Sequence, residues 1–360
     1  MLSISEQEER KTGKELYSYQ KGAIQKIFKC FETAQDDYHL LYQLPTGGGK
    51  TVIFSEIVSQ YLKTHKKKVL VMTHRIELCK QTSSVLTEFG VQNKVIDSKA
   101  NLEDQSEFQC FVAMVETLNN RLKDDKLDIS DIGLVIIDEA HYNSFTKLFK
   151  FFEKSFILGV TATPLSSNIE LPMTDNYNEL IVGESIESLI ENEFLAQANM
   201  YSYNVGLTSL VVGANGDYTV KSSEDLYTNN EMLSKLMEAY KERCDGKKTL
   251  IFNNGINTSL FVYDLFRSAG YQVAHLDNTA SKKERTQILE WFKKTPNAIL
   301  TSVSILTTGF DEPTVESIIL NRATKSLTLY YQMIGRGSRI LKNKNSFDVI
   351  DLGNNFHRFG

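Results

Sequence analysis

Cysteine is scarce in this chain, and the few copies stand far apart. Cys30, Cys79, Cys110 and Cys244 are the only four in 360 residues; without a C-x-x-C pair they indicate neither a zinc site nor a disulfide framework, and they fit a reducing, cytoplasmic setting. No stretch approaches about 18 uninterrupted apolar residues, so no membrane span is expected. The amino terminus, M-L-S-I-S-E-Q-E-E-R-K, lacks the apolar run of a signal peptide. Short-period repeats and low-complexity tracts are also missing. There is no basic excess: 40 Lys and Arg against 45 Asp and Glu leave a formal net charge of -5. That balance argues against a protein that grips nucleic acid with its whole surface, and leaves room for a local basic strip.

What is present is the composition of a soluble globular protein, with 41% hydrophobic and 24% charged residues. At 360 residues the chain exceeds the size at which one core keeps growing, so two domains are expected.

The stretch Gln43 to Thr51, Q-L-P-T-G-G-G-K-T, carries the most chemistry. Gly47, Gly48 and Gly49 let backbone N–H groups close around phosphate oxygens, with Thr46 at the head of the run. Lys50 supplies a mobile charge for the outer phosphates, and the Thr51 hydroxyl suits a Mg²⁺ ion. Leu44 stands where the general phosphate-loop pattern has its first glycine. The context is nevertheless that of a phosphate loop: His39 to Leu44 reads as a buried strand and Thr51 to Leu62 as a helix. An ordinary glycine-rich turn is the alternative.

Ahead of the loop, Leu16 to Cys30 has helical apolar spacing. At its head Tyr17 and Tyr19 offer stacking faces and Gln20 an amide for a base edge, or they simply pack. After it, Lys68 to Thr73 reads as a buried strand followed by His74, Arg75 and a helix from Ile76 to Phe89. Strand ends in open parallel sheets bind ligands, which makes Thr73 and Arg75 candidates for phosphate contacts; the Lys66 to Lys68 run reads as a solvated turn. Phe108 to Met114 is a strand candidate, with a short helix from Glu116 to Leu122 that carries Thr117.

Ile132 to Ile137 is almost wholly apolar, as expected of a strand buried on both faces, and it ends in Asp138, Glu139, Ala140 and His141. Acids at a buried strand tip are costly unless a cation or hydrogen bonds meet them. Asp138 suits Mg²⁺, and Glu139 an attacking water. Phe156 to Thr163 is a further strand, whose Thr161 and Thr163 can bond Glu139 or His141, or serve as turn residues.

In the second half, Gly206 to Thr219 reads as irregular and Glu231 to Cys244 as a helix. Strands are expected at Lys248 to Asn253, Tyr271 to Leu276, Ala298 to Val303 and Phe347 to Leu352. Helices from Ser259 to Ala269 and Lys282 to Lys293 alternate with them, which again indicates a parallel sheet. Trp291, the only tryptophan, serves as a stacking platform or, more simply, as packing. Gly309 and Asp311 in L-T-T-G-F-D suit a phosphate, a ribose or an arginine partner, though by themselves they are a weak signal. In Q-M-I-G-R-G-S-R, Gln332 precedes Arg336 and Arg339, read as two guanidinium groups on one helix face and suited to charge on a γ-phosphate.

Together these segments resemble the motor of a superfamily 2 helicase. Tyr19-Gln20 resembles the adenine-contacting Q motif, Q-L-P-T-G-G-G-K-T motif I, T-H-R motif Ia, D-E-A-H motif II and T-A-T motif III. K-T-L-I-F-N resembles motif IV, L-T-T-G-F-D motif V, and Q-M-I-G-R-G-S-R motif VI. Leu44 is usual in the DEAH-box branch that holds type III restriction subunits and RadD-like DNA repair helicases; Tyr17 departs from it, since relatives often carry arginine there.

The resemblance implies an α/β fold of two tandem RecA-like domains, each a parallel sheet flanked by helices, over 14–200 and 201–360. It implies ATP and Mg²⁺ as cofactors, in a cleft with Lys50, Thr51, Asp138 and Glu139 on one wall and Gln332, Arg336 and Arg339 on the other. His141, Thr161 and Thr163 would couple hydrolysis to movement. Nucleic acid, DNA in preference to RNA, would be touched by Thr73, Arg75, Thr117 and Thr307. Relatives of the RadD type commonly continue beyond such a core, which implies an accessory domain or partner that supplies specificity. A nucleic-acid-stimulated ATPase that does not separate strands is the rival, and a binding module with a decayed ATPase the weaker one.

Overall fold

The computed structural model describes residues 15–34, 38–96, 107–123, 129–166, 171–303, 306, 310 and 312–360. The chain divides into two compact units, Met1–Ser185 and Ile186–Gly360.

The first unit is built on seven parallel strands. In chain order it runs α1 (Ser18–Thr33), β1 (His39–Gln43), α2 (Lys50–Thr64), β2 (Lys68–Thr73), α3 (Ile76–Glu88), β3 (Asn93–Ile96), β4 (Cys110–Met114) and α4 (Val115–Lys123). Then come β5 (Ile132–Asp138), a 3₁₀ segment (Asn143–Phe151), β6 (Phe156–Thr161) and β7 (Glu179–Val182). The sheet order is β3-β4-β2-β5-β6-β1-β7. Strand and helix alternate because a parallel partner can be reached only by a crossover. β5 is buried along its whole length, as helices on both sheet faces require.

The second unit repeats the design with six parallel strands. It comprises α5 (Ile186–Glu191), β8 (Gln197–Ser202), α6 (Val220–Tyr227), α7 (Asn230–Arg243), β9 (Thr249–Asn253), α8 (Ile256–Ser268) and β10 (Val273–Leu276). It continues with α9 (Lys282–Lys294), β11 (Ile299–Val303), β12 (Ser317–Asn321), α10 (Leu327–Ile334), β13 (Ser346–Asp351) and α11 (Asn355–Phe359). The order is β10-β11-β9-β12-β13-β8. Local signals start the helices: Ser281 and Glu284 form a reciprocal capping box on α9, and Thr219, Asn229 and Ser326 cap α6, α7 and α10. Each such cap contributes about 1 kcal/mol.

Two parallel sheets flanked by helices are thus two tandem RecA-like domains, as the sequence implies. The expected boundary at 200/201 falls within β8, which pairs with β13 in the second sheet. As a half-exposed edge strand, β8 lacks the apolar run that marks a central strand. Strands β3, β7, β8 and β12 are not anticipated by sequence; the first three lie at sheet edges. Trp291 packs, half-buried, against the core around Phe292 and Leu300. The segment between β8 and α6 is irregular as expected, closed by one bridge between Val212 and Tyr218.

Inside the second unit a buried hydrogen-bond chain ties the strand ends together. Asn321 Nδ2 donates to Asn253 Oδ1 (2.8 Å), and Asn253 Nδ2 to Thr301 Oγ1 (2.8 Å). Thr301 meets Ser259 Oγ (2.9 Å), which meets His275 Nδ1 (2.8 Å). Buried amides and hydroxyls linked in this way rigidify this part of the sheet.

Candidate functional site

In the first unit, three neighbouring strands end side by side. β6 lies between β5 and β1, with Asp138 level with Val160 and Gln43 level with Thr161. The glycine loop leaves β1, D-E-A-H leaves β5, and T-A-T leaves β6, so all three segments meet at one sheet edge.

The loop itself is tightly seated. Leu44 is fully buried and its N–H donates to the Thr161 carbonyl (2.9 Å). A β-carbon on Gly48 would lie 2.8 Å from Leu44 Cγ. Leucine at the first position is therefore the floor of this loop, and glycine above it is what makes room. Gly47 and Gly49 have φ of 95° and 83°, values that side chains disfavour. Gly49 caps α2, which begins with Lys50 and Thr51. Lys50 is buried and its ammonium donates to the Leu44 carbonyl (3.2 Å). Thr46 Oγ1 is buried without a hydrogen-bond partner among the described residues.

The segment bearing Tyr17, Tyr19 and Gln20 is docked on this loop. Tyr19 Oη donates to the Gly48 carbonyl (2.7 Å), and the Gln20 side chain is buried, accepting from the Tyr17 N–H (3.0 Å). Tyr17 is the more exposed ring, stacked on Tyr19 with centroids 6.0 Å apart.

At the tip of β5, Asp138 is buried and accepts the Glu139 N–H at Oδ1 (3.0 Å). Burial, then the neighbouring Glu139, hold its carboxyl above the usual carboxylate range, against the pull of Lys50. Glu139 adopts φ 55°, a left-handed conformation rare for a side-chain-bearing residue; such strain persists where surroundings impose it. Its Oε2 is buried 3.4 Å from His141 Nδ1 and lacks a hydrogen-bond partner among the described residues.

His141 closes the arrangement. Its Nδ1 lies 3.0 Å from Thr161 Oγ1, and that hydroxyl donates to the Thr163 carbonyl (3.0 Å). One hydroxyl has one proton, so Thr161 accepts from His141 and selects the Nδ1–H tautomer. Burial lowers the imidazole pKa, which keeps the ring neutral.

The structure adds Tyr142. Its ring lies 4.3 Å from His141 on one side and 4.3 Å from His74 on the other. Neither T-H-R nor D-E-A-H signals this stack, because it joins residues about seventy positions apart.

The nucleic-acid candidates fare unevenly. Thr73 is fully buried, and its hydroxyl meets the Arg75 carbonyl (3.1 Å) and Cys79 Sγ (3.0 Å). It is not open to a ligand strand, because a two-sided buried strand turns even its last side chain inward. Arg75 is half-buried at the start of α3 and Thr117 half-buried on α4. Thr307, Gly309 and Asp311 lie outside the described residues.

In the second unit, Gln332 is buried on α10, its Nε2 without a hydrogen-bond partner among the described residues. The helix ends at Ile334, so Arg336 and Arg339 sit on the turn beyond it and do not share a helix face. The reason is Gly337: a β-carbon there would lie 2.1 Å from the Phe347 ring, so the chain passes directly over it. Arg336 donates to the Phe310 carbonyl.

Among the described residues, no group of three or more His, Cys, Asp or Glu side chains could hold a metal unaided. Mg²⁺ that arrives on a nucleotide needs only one or two protein ligands, and the buried Asp138 carboxylate and the Thr51 hydroxyl in the first turn of α2 are donors of the kind that need calls for. Among the described residues no helix is long and apolar enough to cross a membrane.

Residues 13–166 match the family of the type III restriction enzyme res subunit, and residues 229–341 the helicase conserved C-terminal domain. The chain belongs to superfamily 2, in its restriction-enzyme-like branch. It is 29% identical to Saccharomyces cerevisiae IRC3, named as an ATP-dependent helicase, over 94% of this chain and 51% of the relative. This superfamily 2 chain thus spans about half the length of that relative. A fragment of the HsdR subunit of a type I restriction enzyme from Vibrio vulnificus has the same fold. It superposes with a TM-score of 0.74 at 22% identity, covering 97% of this chain and 66% of the fragment. The Type ISP restriction-modification enzyme LlaBIII bound to DNA gives a TM-score of 0.70 at 16% identity, covering 95% of this chain and 28% of that enzyme.

Proposed function

We propose that this chain is the motor of an ATP- and Mg²⁺-dependent helicase or translocase that acts on nucleic acid, DNA in preference to RNA. The observation that carries this reading is the meeting of the glycine loop, Asp138-Glu139 and Thr161 at the ends of three adjacent strands. The loop N–H groups and Lys50 bind the phosphates, and the segment bearing Tyr17, Tyr19 and Gln20 holds the base. Thr51 and Asp138 would hold Mg²⁺, which when bound neutralises charge on the phosphate oxygens.

Glu139 takes the proton of the attacking water. Its buried, unpaired oxygen and imposed backbone angle support that role. His141, tied to Thr161 and Thr163, connects the base to the end of β6. Gln332, Arg336 and Arg339 supply the second domain's part, with guanidinium groups that suit developing γ-phosphate charge. Arg75 and Thr117 contact the nucleic-acid backbone, which positions without reading sequence. The preference for DNA follows from the similarity of the motifs to those of restriction-type and RadD-like motors. An accessory domain or partner supplies specificity.

Steady-state ATP hydrolysis tests the reading, measured without polynucleotide and with single-stranded DNA, duplex DNA and single-stranded RNA, beside Lys50→Ala at two salt concentrations. DNA stimulation that fades with salt and vanishes in Lys50→Ala is expected. Stimulation by RNA alone would overturn the substrate preference, and no hydrolysis at all would overturn the motor. A strand-displacement assay separates the helicase from the rival ATPase that translocates without releasing a strand.

A further inference from the structure

The turn that carries Arg336 and Arg339 is held in place by one lysine. Leu341 to Lys344 form a tight reversal, closed by Leu341 N–H to the Lys344 carbonyl (3.0 Å) and Lys344 N–H to the Leu341 carbonyl (2.9 Å). This reversal folds the Lys344 side chain back under the preceding residues. Its ammonium donates to the carbonyls of Gly337 (2.7 Å), Arg339 (2.8 Å) and Pro313 (3.0 Å). Three N–H donors meet three acceptors, so the hydrogen-bonding capacity of the ammonium is filled.

Two of those carbonyls belong to the arginine turn itself. The third lies just after Phe310, whose carbonyl accepts from Arg336. The ammonium also lies 5.8 Å from the centre of the Phe347 ring, the ring over which Gly337 passes. Among the described residues no carboxylate lies within ion-pair distance of Lys344, so its charge is spent on backbone. A surface lysine in water has no such set of partners. A charge-assisted bond to a carbonyl is stronger than a neutral one, and three converging on one atom fix the course of the chain.

We propose that Lys344 is a positioning residue for Arg336 and Arg339, holding their turn against Phe310 and Pro313 so that both guanidinium groups are presented in one arrangement. This rests on the reading of the two arginines as the groups that act on the nucleotide. The charged groups that face Lys344 are Arg339, which disfavours its protonation, and Glu316 and Glu312, which favour it. Burial is the largest influence and, with Arg339, brings the ammonium down to about 8. Once neutral, the amine has two protons for three carbonyls and loses the charge assistance.

The experiment compares the full chain as wild type, Lys344→Met, Lys344→Arg and Arg336→Ala. It measures kcat and KM for ATP from about pH 6.5 to about 9.5, together with amide hydrogen exchange over 335–340. Lys344→Met is expected to lose at least about ten-fold in kcat with KM changed less than about three-fold, the split for a group lost from the transition state. Exchange over 335–340 should rise in the same variant. Wild-type kcat should fall as pH rises through about 8, and this fall should be absent from Lys344→Arg, whose guanidinium stays charged.

Wild-type turnover and exchange in Lys344→Met would overturn the proposal, as would an unchanged alkaline fall in Lys344→Arg. If Lys344→Met does not fold, the pH profiles of wild type and Lys344→Arg still decide. Arg336→Ala with full turnover would sink the arginine assignment and this proposal with it. An inactive Arg336→Ala beside an active Lys344→Met would sink the role of Lys344 alone.

Discussion

The amide nitrogen of Gln20 occupies the space that a β-carbon on Gly49 would need, with only 2.6 Å between them. Gly49 of the glycine loop and Gln20 of α1 thus depend on each other. Gln20 packs against a backbone whose φ of 83° at Gly49 is one that side-chain-bearing residues disfavour.

Gly49→Ala should therefore be damaging in two ways. The left-handed conformation costs roughly 1–2 kcal/mol for a side chain, and the methyl group pushes Gln20 out of its seat. A lower melting temperature and an ATP affinity weakened at least about ten-fold are expected, read by thermal denaturation and nucleotide titration. Unchanged ATP binding would show that the contact between Gln20 and Gly49 is incidental.

Glu139→Gln separates binding from hydrolysis. The amide keeps the shape of the side chain but cannot take a proton, so turnover should drop by about 10²–10⁴-fold. ATP should bind as well as in the wild type. Normal turnover in this variant would remove Glu139 from the role of base.

Asp138→Asn should make the ligand-free protein more stable while abolishing hydrolysis. Burial and Glu139 raise the Asp138 carboxyl above its ordinary 3.8, so the folded state holds this proton more tightly than the unfolded one. The penalty is absent in acid, where both states are protonated, and grows as pH rises above about 4. At neutral pH asparagine relieves it, and the melting temperature should rise by a few degrees. A fall would mean that the ionised carboxylate has a partner that stabilises it.

Lys344 should move stability and activity in opposite directions. Its folded-state value of about 8 lies below the ordinary 10.5, so below about 8 both states hold the proton and the buried charge opposes folding. Between about 8 and about 10.5 the unfolded state binds the proton and the folded one does not, so this group's contribution to stability improves. Turnover declines from the same lower limit. The difference in melting temperature between wild type and Lys344→Met, followed across that window, should shift in favour of wild type; a shift the other way would refute the assignment.

The amino-acid sequence by itself determined the alternation of strand and helix and the segments that make up the candidate site. Apolar runs such as Ile132 to Ile137 announce two-sided buried strands, and strand and helix in alternation demand parallel sheets. G-G-G-K-T and D-E-A-H stand out in the sequence because their residues are adjacent in the chain. The short, half-exposed edge strand β8 left no comparable mark, and the boundary expected at 200/201 falls inside it.

Tertiary structure alone decided which groups face outward and which hold others in place. Thr73 ends a strand as expected, yet it turns inward to Cys79. Arg336 and Arg339 are three apart as a helix face would require, yet Phe347 draws Gly337 close and the helix stops before them. Leu44 under Gly48, Tyr142 between two histidines, and Lys344 beneath the arginine turn follow the same principle. Periodicity and residue chemistry are local properties that a chain displays along its length, whereas contacts across a sheet edge or a turn exist only after packing has selected one arrangement of distant segments.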